Sequence, residues 1–332
     1  MLSTNCKEKQ DNPDVSIIIV NWNTKELLRQ CLKSLYDIAS NVRFEVYVVD
    51  NNSSDGSTEM VKRDFPQIKL IENRQNEGFA RANNKAMYYA RGRYILLLNS
   101  DTVVLDQAFD KMLAYMDEHR DAGVLGCRLI NKEGSLQVSA AWFSTLATAL
   151  LGSNIVPRAL AGFFRMKKFP GQNFLTNRSH EEIQDVDWVV GACMLVRHEI
   201  IHEVGLLDEK LFIFGEEIEW CFRIKKRGWR IIYFPDAKLI HYGGGSAKES
   251  SKISAYRRVF AERYIYHKHH NVYLSGIYDF LIFTMAMVKV PLWGISLLTF
   301  YDNENKLIKL YYQWAIFKII LYGKRGDPDI LK

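Results

Sequence analysis

Near-continuous apolar runs recur along the first third of the chain, at Val15–Val20 (VSIIIV), Phe44–Val49 (FEVYVV) and Ile95–Leu98. Runs of this length, without alternation, predict strands buried on both faces of a sheet. Between them the spacing changes to that of helices. Leu27, Leu28, Cys31, Leu32 and Leu35 form one stripe, predicting a helix through about Ala39 with Thr24 as its cap. Further helices are expected over Ser57–Asp64, from Asn76-Glu77-Gly78-Phe79-Ala80 through Ala90, and over Asp106–His119, with strands at Ile68–Glu72 and Gly123–Ile130. Strand and helix in alternation imply an α/β fold with a mostly parallel, doubly wound central sheet.

The rhythm blurs from Asn131 to Gln184, where Gly, Ser, Asn and basic residues mix with aromatics. So long an irregular stretch reads as an insertion or flap (131–185) on the substrate side. Order returns at Val186–Val196, followed by a helix over Glu216–Lys226 and two strands, Trp229–Phe234 and Lys238–His241. From Lys248 to Lys332 the texture changes again, to Lys and Arg interleaved with Tyr, Trp and Phe. Ile277–Phe300 is long enough to span a bilayer, but Asp279, Lys289, Pro291 and Gly294 interrupt it. An aromatic, basic, amphipathic stretch of this kind suits the plane of the membrane interface. A true span and helices that pair with a second copy (a homo-oligomer) are the other uses open to it. The expected organisation is thus a polar N-terminus (1–14), an α/β domain (15–247) and a C-terminal amphipathic helical region (248–332).

Composition adds little to this picture. The 332 residues are 48% apolar and 25% charged, ordinary for a globular protein. Five scattered cysteines, with no metal-ligand spacing, indicate a reduced, cytoplasmic setting, and the polar N-terminus has no signal-peptide core. A net charge of +6 is compatible with nucleic acid or an anionic membrane face. No nucleic-acid-binding module accompanies the charge, so no nucleic acid partner is expected.

The stretch that carries the chemistry is Ile95–Val104, ILLLNSDTVV. Asp101 ends a buried strand, where open α/β sheets bind ligands outside the strands' carboxyl ends. Its competing use is as N-cap of the helical segment that follows. Asp50 ends the second strand in the same way.

Seven motifs occur in one order: VSIIIVNWNTKELLRQCLKSL, VVDNNSSDGS, NEGFARANN, LLLNSD, WVVGACMLVR, FGEEIEWCFRIKKRGWRI and PDAKLIHYGGGS. Together, from about Val15 to Ser246, they resemble family 2 glycosyltransferases of the GT-A fold, especially the bacterial rhamnosyltransferase-like group. The resemblance implies a Rossmann-like sheet with helices on both faces and a nucleotide-sugar donor. Val20, Asn21, Trp22 and Asp50 match the positions that hold the base, Trp22 by stacking and Asp50 by accepting from the base N3–H. Asn76, Gly78, Phe79, Asn84 and Ser100 match positions beside the nucleotide, although Asn76 and Gly78 also suit a turn and a cap. Asn99-Ser100-Asp101 aligns with the DxD motif that binds Mg²⁺ or Mn²⁺ across the diphosphate, Asn99 replacing the first carboxylate, and His241 matches a histidine that completes the metal site. Trp188, Gly191 and Ala192 match the donor-sugar pocket. Glu216-Glu217 matches a Glu-Asp pair whose second member is the general base. With Glu in that place, Glu216 remains its rival. Glu219 and Arg223, four residues apart, read as a structural ion pair.

What the resemblance implies is an inverting enzyme that moves a single sugar, rhamnose-like or another hexose, from a dTDP- or UDP-sugar. The acceptor would be a glycan carried on a polyprenyl diphosphate at the inner leaflet. There is no QxxRW motif of the processive synthases, consistent with single addition. Two rivals are weaker. A sugar-1-phosphate nucleotidyltransferase would carry a Gly-rich loop after the first strand, and Asn21-Trp22-Asn23-Thr24 has no glycine. A noncatalytic nucleotide-sugar-binding protein would have lost a key carboxylate, and Asp101 and Glu217 are both present.

Overall fold

The buried runs do become adjacent strands. The computed structural model describes residues 12–37, 41–105, 107–143, 180–243, 251–296 and 303–322. The expected helix end at Ala39, the helix start at Asp106, most of the flap (144–179) and the glycine run from Gly244 lie outside them. β1 (Val15–Asn21), β2 (Phe44–Asp50), β3 (Lys69–Glu72) and β4 (Tyr94–Asn99) form a parallel array in the spatial order β3-β2-β1-β4. Their connections are α1 (Lys25–Asp37), α2 (Ser57–Asp64) and α3 (Phe79–Met87). The helix expected through Ala90 therefore stops at Met87. Leu28, Cys31, Leu32 and Leu35 of α1 are buried against the sheet, as their spacing requires.

Asp101 does not cap a helix. It lies between β4 and a short strand, β5 (Thr102–Val104), and α4 (Ala108–Glu118) starts only later. β6 (Ala122–Ile130) follows, with β7 (Leu136–Gln137) folded back on it and β8 (Ala140–Ala141) beyond. The stretch expected as one ordered run at Val186–Val196 is divided among β9 (Gln184–Val186), β10 (Trp188–Val189) and β11 (Cys193–Arg197). After α5 (Glu199–Val204) and α6 (Glu216–Lys226), the two strands expected near the end are one, β12 (Arg230–His241), with a register shift between Phe234 and Lys238. The chain there reads Phe234-Pro235-Asp236. Proline cannot donate to the ladder, so a bulge absorbs it.

The sheet continues β4-β11-β6-β12-β5. β11 runs antiparallel to both β4 and β6, while β6 and β12 are parallel. This reversal positions the site: Cys193 pairs with Leu98, so the residues entering β11 arrive at the carboxyl ends of β1 and β4. Packing is tight at Gly126 of β6, where a Cβ would stand 2.5 Å from Val189 Cβ.

One carboxylate supports two helix starts. Asp55, in the loop after β2, accepts from the Lys25 amide at 2.8 Å and from the amide and hydroxyl of Ser57. The expected cap, Thr24, instead turns its hydroxyl toward Asn21 and Ser100. Partial burial pushes the Asp55 carboxyl up, but the bonds from Ser57 and the Lys25 amide outweigh this and hold it below its ordinary value.

The chain divides into two compact units, the second comprising 143–173, Lys210–Glu216 and 247–332. Its described helices are α7 (Ser251–His269), α8 (Val272–Ser296) and α9 (Asn303–Tyr322). Val259, Tyr266, Tyr278, Ile282, Ala286, Ala315, Ile316 and Ile319 form their core. Asp279, one of the interruptions in the apolar stretch, is met by Arg263 through two bonds (2.8 and 2.7 Å) and by His267 at 3.0 Å. The segment Lys210–Glu216 packs on α7: Arg257 lies over Phe212, Arg258 over Phe214, and a Cβ at Gly215 would stand 2.9 Å from Ala261 Cβ. Gly215 also has φ +87°, which glycine adopts without strain.

Gly126→Ala is expected to cost about 1–3 kcal/mol through overpacking on Val189, read as a lowered Tm. Asp55→Asn should lower Tm at neutral pH. Because the folded pKa is depressed, the stabilisation is present above the unfolded carboxylate value of about 3.9 and lost as pH falls through the folded one. The Tm gap between wild type and variant therefore closes in acid.

Candidate active site

Three groups of side chains meet at the carboxyl ends of the central strands. In the first, Asn21 and Asp50 are register partners at the ends of β1 and β2. Asn21 is wholly buried, and its Nδ2 donates to Asp50 Oδ1 (2.8 Å) and to Ser53 Oγ (3.1 Å). The Ser53 amide donates to the other carboxylate oxygen, Oδ2, at 2.8 Å. Each oxygen of Asp50 is thereby anchored with acceptor capacity left over. Thr24 donates its hydroxyl proton to Asn21 Oδ1 at 2.6 Å, so in the 2.9 Å contact between Thr24 and Ser100 the donor is Ser100. The ends of β1, β2 and β4 are joined through these bonds. Val20 and Trp22, on either side of Asn21, are both half-buried.

A second group closes around β4. The Asn99 amide donates to Ala192 O at 3.0 Å, and the Tyr242 amide to Asp101 O at 2.9 Å. His241 pairs with Thr102 in the β12–β5 ladder. That register brings His241 Nε2 to 3.3 Å from both Asp101 Oδ1 and Asn99 Nδ2. A carboxylate oxygen and an imidazole nitrogen side by side suit a divalent cation. Among the described residues no group of three or more His, Cys, Asp or Glu is gathered for a metal.

The third group lies beside Gly191. A Cβ at this buried glycine would stand 3.8 Å from both Glu217 Cβ and Phe79 Cε1. Glu217, the second residue of α6, is half-buried, whereas Glu216 is only 5% exposed. Further along α6, Glu219 is wholly buried and takes Arg223 through two Nε bonds of 2.9 Å. Arg223 also donates to Val204 O and Leu206 O, so this pair fixes the turn after α5.

Other residues expected near the donor are held in structural bonds. Asn84 spans both backbone groups of Leu207, donating to its carbonyl (2.9 Å) and accepting from its amide (3.1 Å). Asn76 accepts from the Gly78 amide at 3.0 Å, and Gly78, at φ +82°, caps α3. These are the turn and the cap that the two residue types suit. Trp188 is buried and donates its indole N–H to Trp142 O at 3.4 Å. Sequence reading missed Ser53, Gln137 and the hydroxyl role of Thr24. Ser53 sits in a turn-rich loop and Gln137 in the blurred stretch, and neither has a pattern that distinguishes it from its neighbours.

Comparison with known proteins gives the family of the chain. The model of "Glycosyl transferase family 2" matches residues 16–205, more than half of the chain. The O-antigen biosynthesis protein RfbC of Myxococcus xanthus is 27% identical over 71% of this chain, which spans only 18% of that protein's length. The N-acetylglucosaminyl-diphospho-decaprenol L-rhamnosyltransferase of Mycobacterium tuberculosis is 24% identical over 68% of this chain and 75% of its own. Among solved structures, a mannosyltransferase from Pyrobaculum calidifontis superposes with a TM-score of 0.57 at 15% identity, covering 95% of this chain and 89% of that one. At that identity the likeness speaks to the fold, which is GT-A. The chain belongs to glycosyl transferase family 2 and is a glycosyltransferase.

Proposed function

We propose that the enzyme transfers a single rhamnose-like or other hexose unit from a dTDP- or UDP-sugar, with inversion, to a glycan acceptor on a polyprenyl diphosphate. The observation that carries this reading is the convergence at Gly191. Glu217 and Phe79 flank it, and the neighbouring Ala192 bonds Asn99, two residues before Asp101.

In this reading Asp50 accepts from the base N3–H, with Trp22 and the backbone of Val20 and Asn21 beside the ring. Gly191 and Ala192 leave room for the sugar. Glu217 takes the proton of the acceptor hydroxyl as its oxygen attacks the anomeric carbon, and the bond from that carbon to the diphosphate oxygen breaks on the opposite side. The greater exposure of Glu217 favours it over Glu216 as the base. Asp101 and His241, with Asn99 beside them, are the groups that would hold Mg²⁺ or Mn²⁺. Such an ion supplies positive charge to the departing diphosphate. The solved mannosyltransferase is in complex with GDP-Man and Mn²⁺, which supports the metal. The acceptor class is suggested by the name of the mycobacterial relative.

The helical unit supports a peripheral place at the cytoplasmic membrane face. Val272–Pro291 is apolar and long enough to cross a membrane by length and composition. Yet one side of α8 packs into the bundle through Tyr278, Ile282 and Ala286, with Asp279 held by Arg263. Tyr273, Ile277, Phe280 and Met287, at helical spacing, are exposed on the other, and α9 exposes Leu307, Trp314 and Leu321. An apolar face on a helix already partnered on its opposite side suits the membrane interface.

The test of catalysis is release of nucleoside diphosphate from a panel of UDP-, dTDP- and GDP-sugars with Mg²⁺ or Mn²⁺ and a lipid-linked acceptor. Glu217→Gln should lower kcat about 100- to 10,000-fold with donor KM little changed. Asp101→Ala should abolish turnover and weaken donor binding. Failure of the wild type to bind any nucleotide in the presence of metal overturns the reading. Separately, the wild type should sediment with phosphatidylglycerol vesicles, and the double variant Phe280→Asp, Trp314→Asp should remain in the supernatant with its fold intact by circular dichroism.

A further inference from the structure

We infer that Gln137 is a positioning residue that fixes the tautomer of His241, keeping the Nε2 lone pair bare beside Asp101, where it accepts from Asn99 Nδ2 or takes a cation. The inference rests on the reading of Asp101 and His241 as cation ligands. Gln137 Oε1 lies 2.6 Å from His241 Nδ1. The other end of the amide sets its orientation, because Gln137 Nε2 donates to Asn131 Oδ1 at 3.3 Å. An amide oxygen only accepts, so the neutral ring must carry its proton on Nδ1 and leave Nε2 bare. The reversed amide would donate to Nδ1 and move the proton to Nε2, where it would bond Asp101 and occupy the position a cation needs.

The hairpin around Gln137 is built to hold that orientation. Asn131 is fixed across the turn by its amide bond to Ser135 O (2.8 Å) and by Nδ2 to Ser135 Oγ (2.8 Å), while the Gly134 amide donates back to Asn131 O (2.9 Å). Gly134 has φ +83°, as such a turn requires. β7 then pairs Gln137 with Leu129 of β6, the strand on which β12 lies, with Ile240 opposite Ile130. Gln137 is thus delivered beside His241 by backbone pairing. Partners of this kind on the far nitrogen of a metal-binding histidine typically govern affinity about 10- to 100-fold.

The test uses the full chain in which histidine is ¹⁵N-labelled, first without metal. At a pH where the ring signals themselves show no imidazolium form, long-range ¹H–¹⁵N spectra should show His241 protonated on Nδ1 in the wild type and in Gln137→Glu. In Gln137→Met the population should move toward the Nε2–H form. His241→Ala assigns the signal. Mn²⁺ is then titrated by electron paramagnetic resonance with dTDP or UDP present. Gln137→Met should weaken binding about 10- to 100-fold, and Gln137→Glu should stay within a few-fold of wild type. An Nε2–H ring in the wild type, or wild-type tautomer and Mn²⁺ affinity in Gln137→Met, overturns the inference. Unchanged Mn²⁺ affinity in His241→Ala overturns the cation reading, and the role of Gln137 with it, whatever tautomer the spectra record.

Discussion

Asn21 has no exposed surface, and each polar atom of its side chain is bonded within the junction of β1, β2 and β4. It donates to Asp50 and Ser53 and accepts from Thr24, which in turn receives Ser100. In a region of low polarity such a network is worth most when every member is satisfied, and removing one partner leaves the others buried without one. The rest of the site depends on this junction. Asp50 has a fixed direction because of it, and β4 reaches Asn99-Ser100-Asp101 with its end already tied to β1.

The antiparallel course of β11 is the second determinant. A strand–helix alternation leads one to expect parallel neighbours, and β3-β2-β1-β4 and β6–β12 obey. Setting β11 in the opposite direction between β4 and β6 brings the start of that strand to the carboxyl ends of β1 and β4. Gly191 and Ala192 need no long loop to reach Asn99; they precede the first residue of the ladder.

Much of this was legible in the chain. Ile17, Ile18, Ile19 and Leu96, Leu97, Leu98 announced buried central strands, and the resemblance offered Asp50, Asp101, His241 and Glu217 as candidates, of which Asp101 and His241 stand 3.3 Å apart. What escaped had physical reasons. β5 is three residues long, too short for periodicity, so Asp101 read equally well as a cap. Thr24 suits an N-cap by residue type, but Asp55 reaches the Lys25 amide from thirty positions away, a contact no local pattern records. The resemblance sets Asn84 beside the nucleotide, yet its side-chain amide donates to Leu207 O, 123 positions later, and to Glu209. Gln137 gave no signal because its role comes from a two-residue strand pairing.

The short segment Lys210–Glu216 belongs with the C-terminal helices, held by Arg257, Arg258 and Ala261, although in sequence it lies between α5 and α6. A seam drawn at residue 247 therefore severs Phe212 and Phe214 from the arginines that cover them. For anyone recombining such enzymes, the C-terminal helices and this heptapeptide form one hereditary module. Exchanging this unit between relatives requires moving both pieces together, and the piece nearer the middle ends one residue before Glu217.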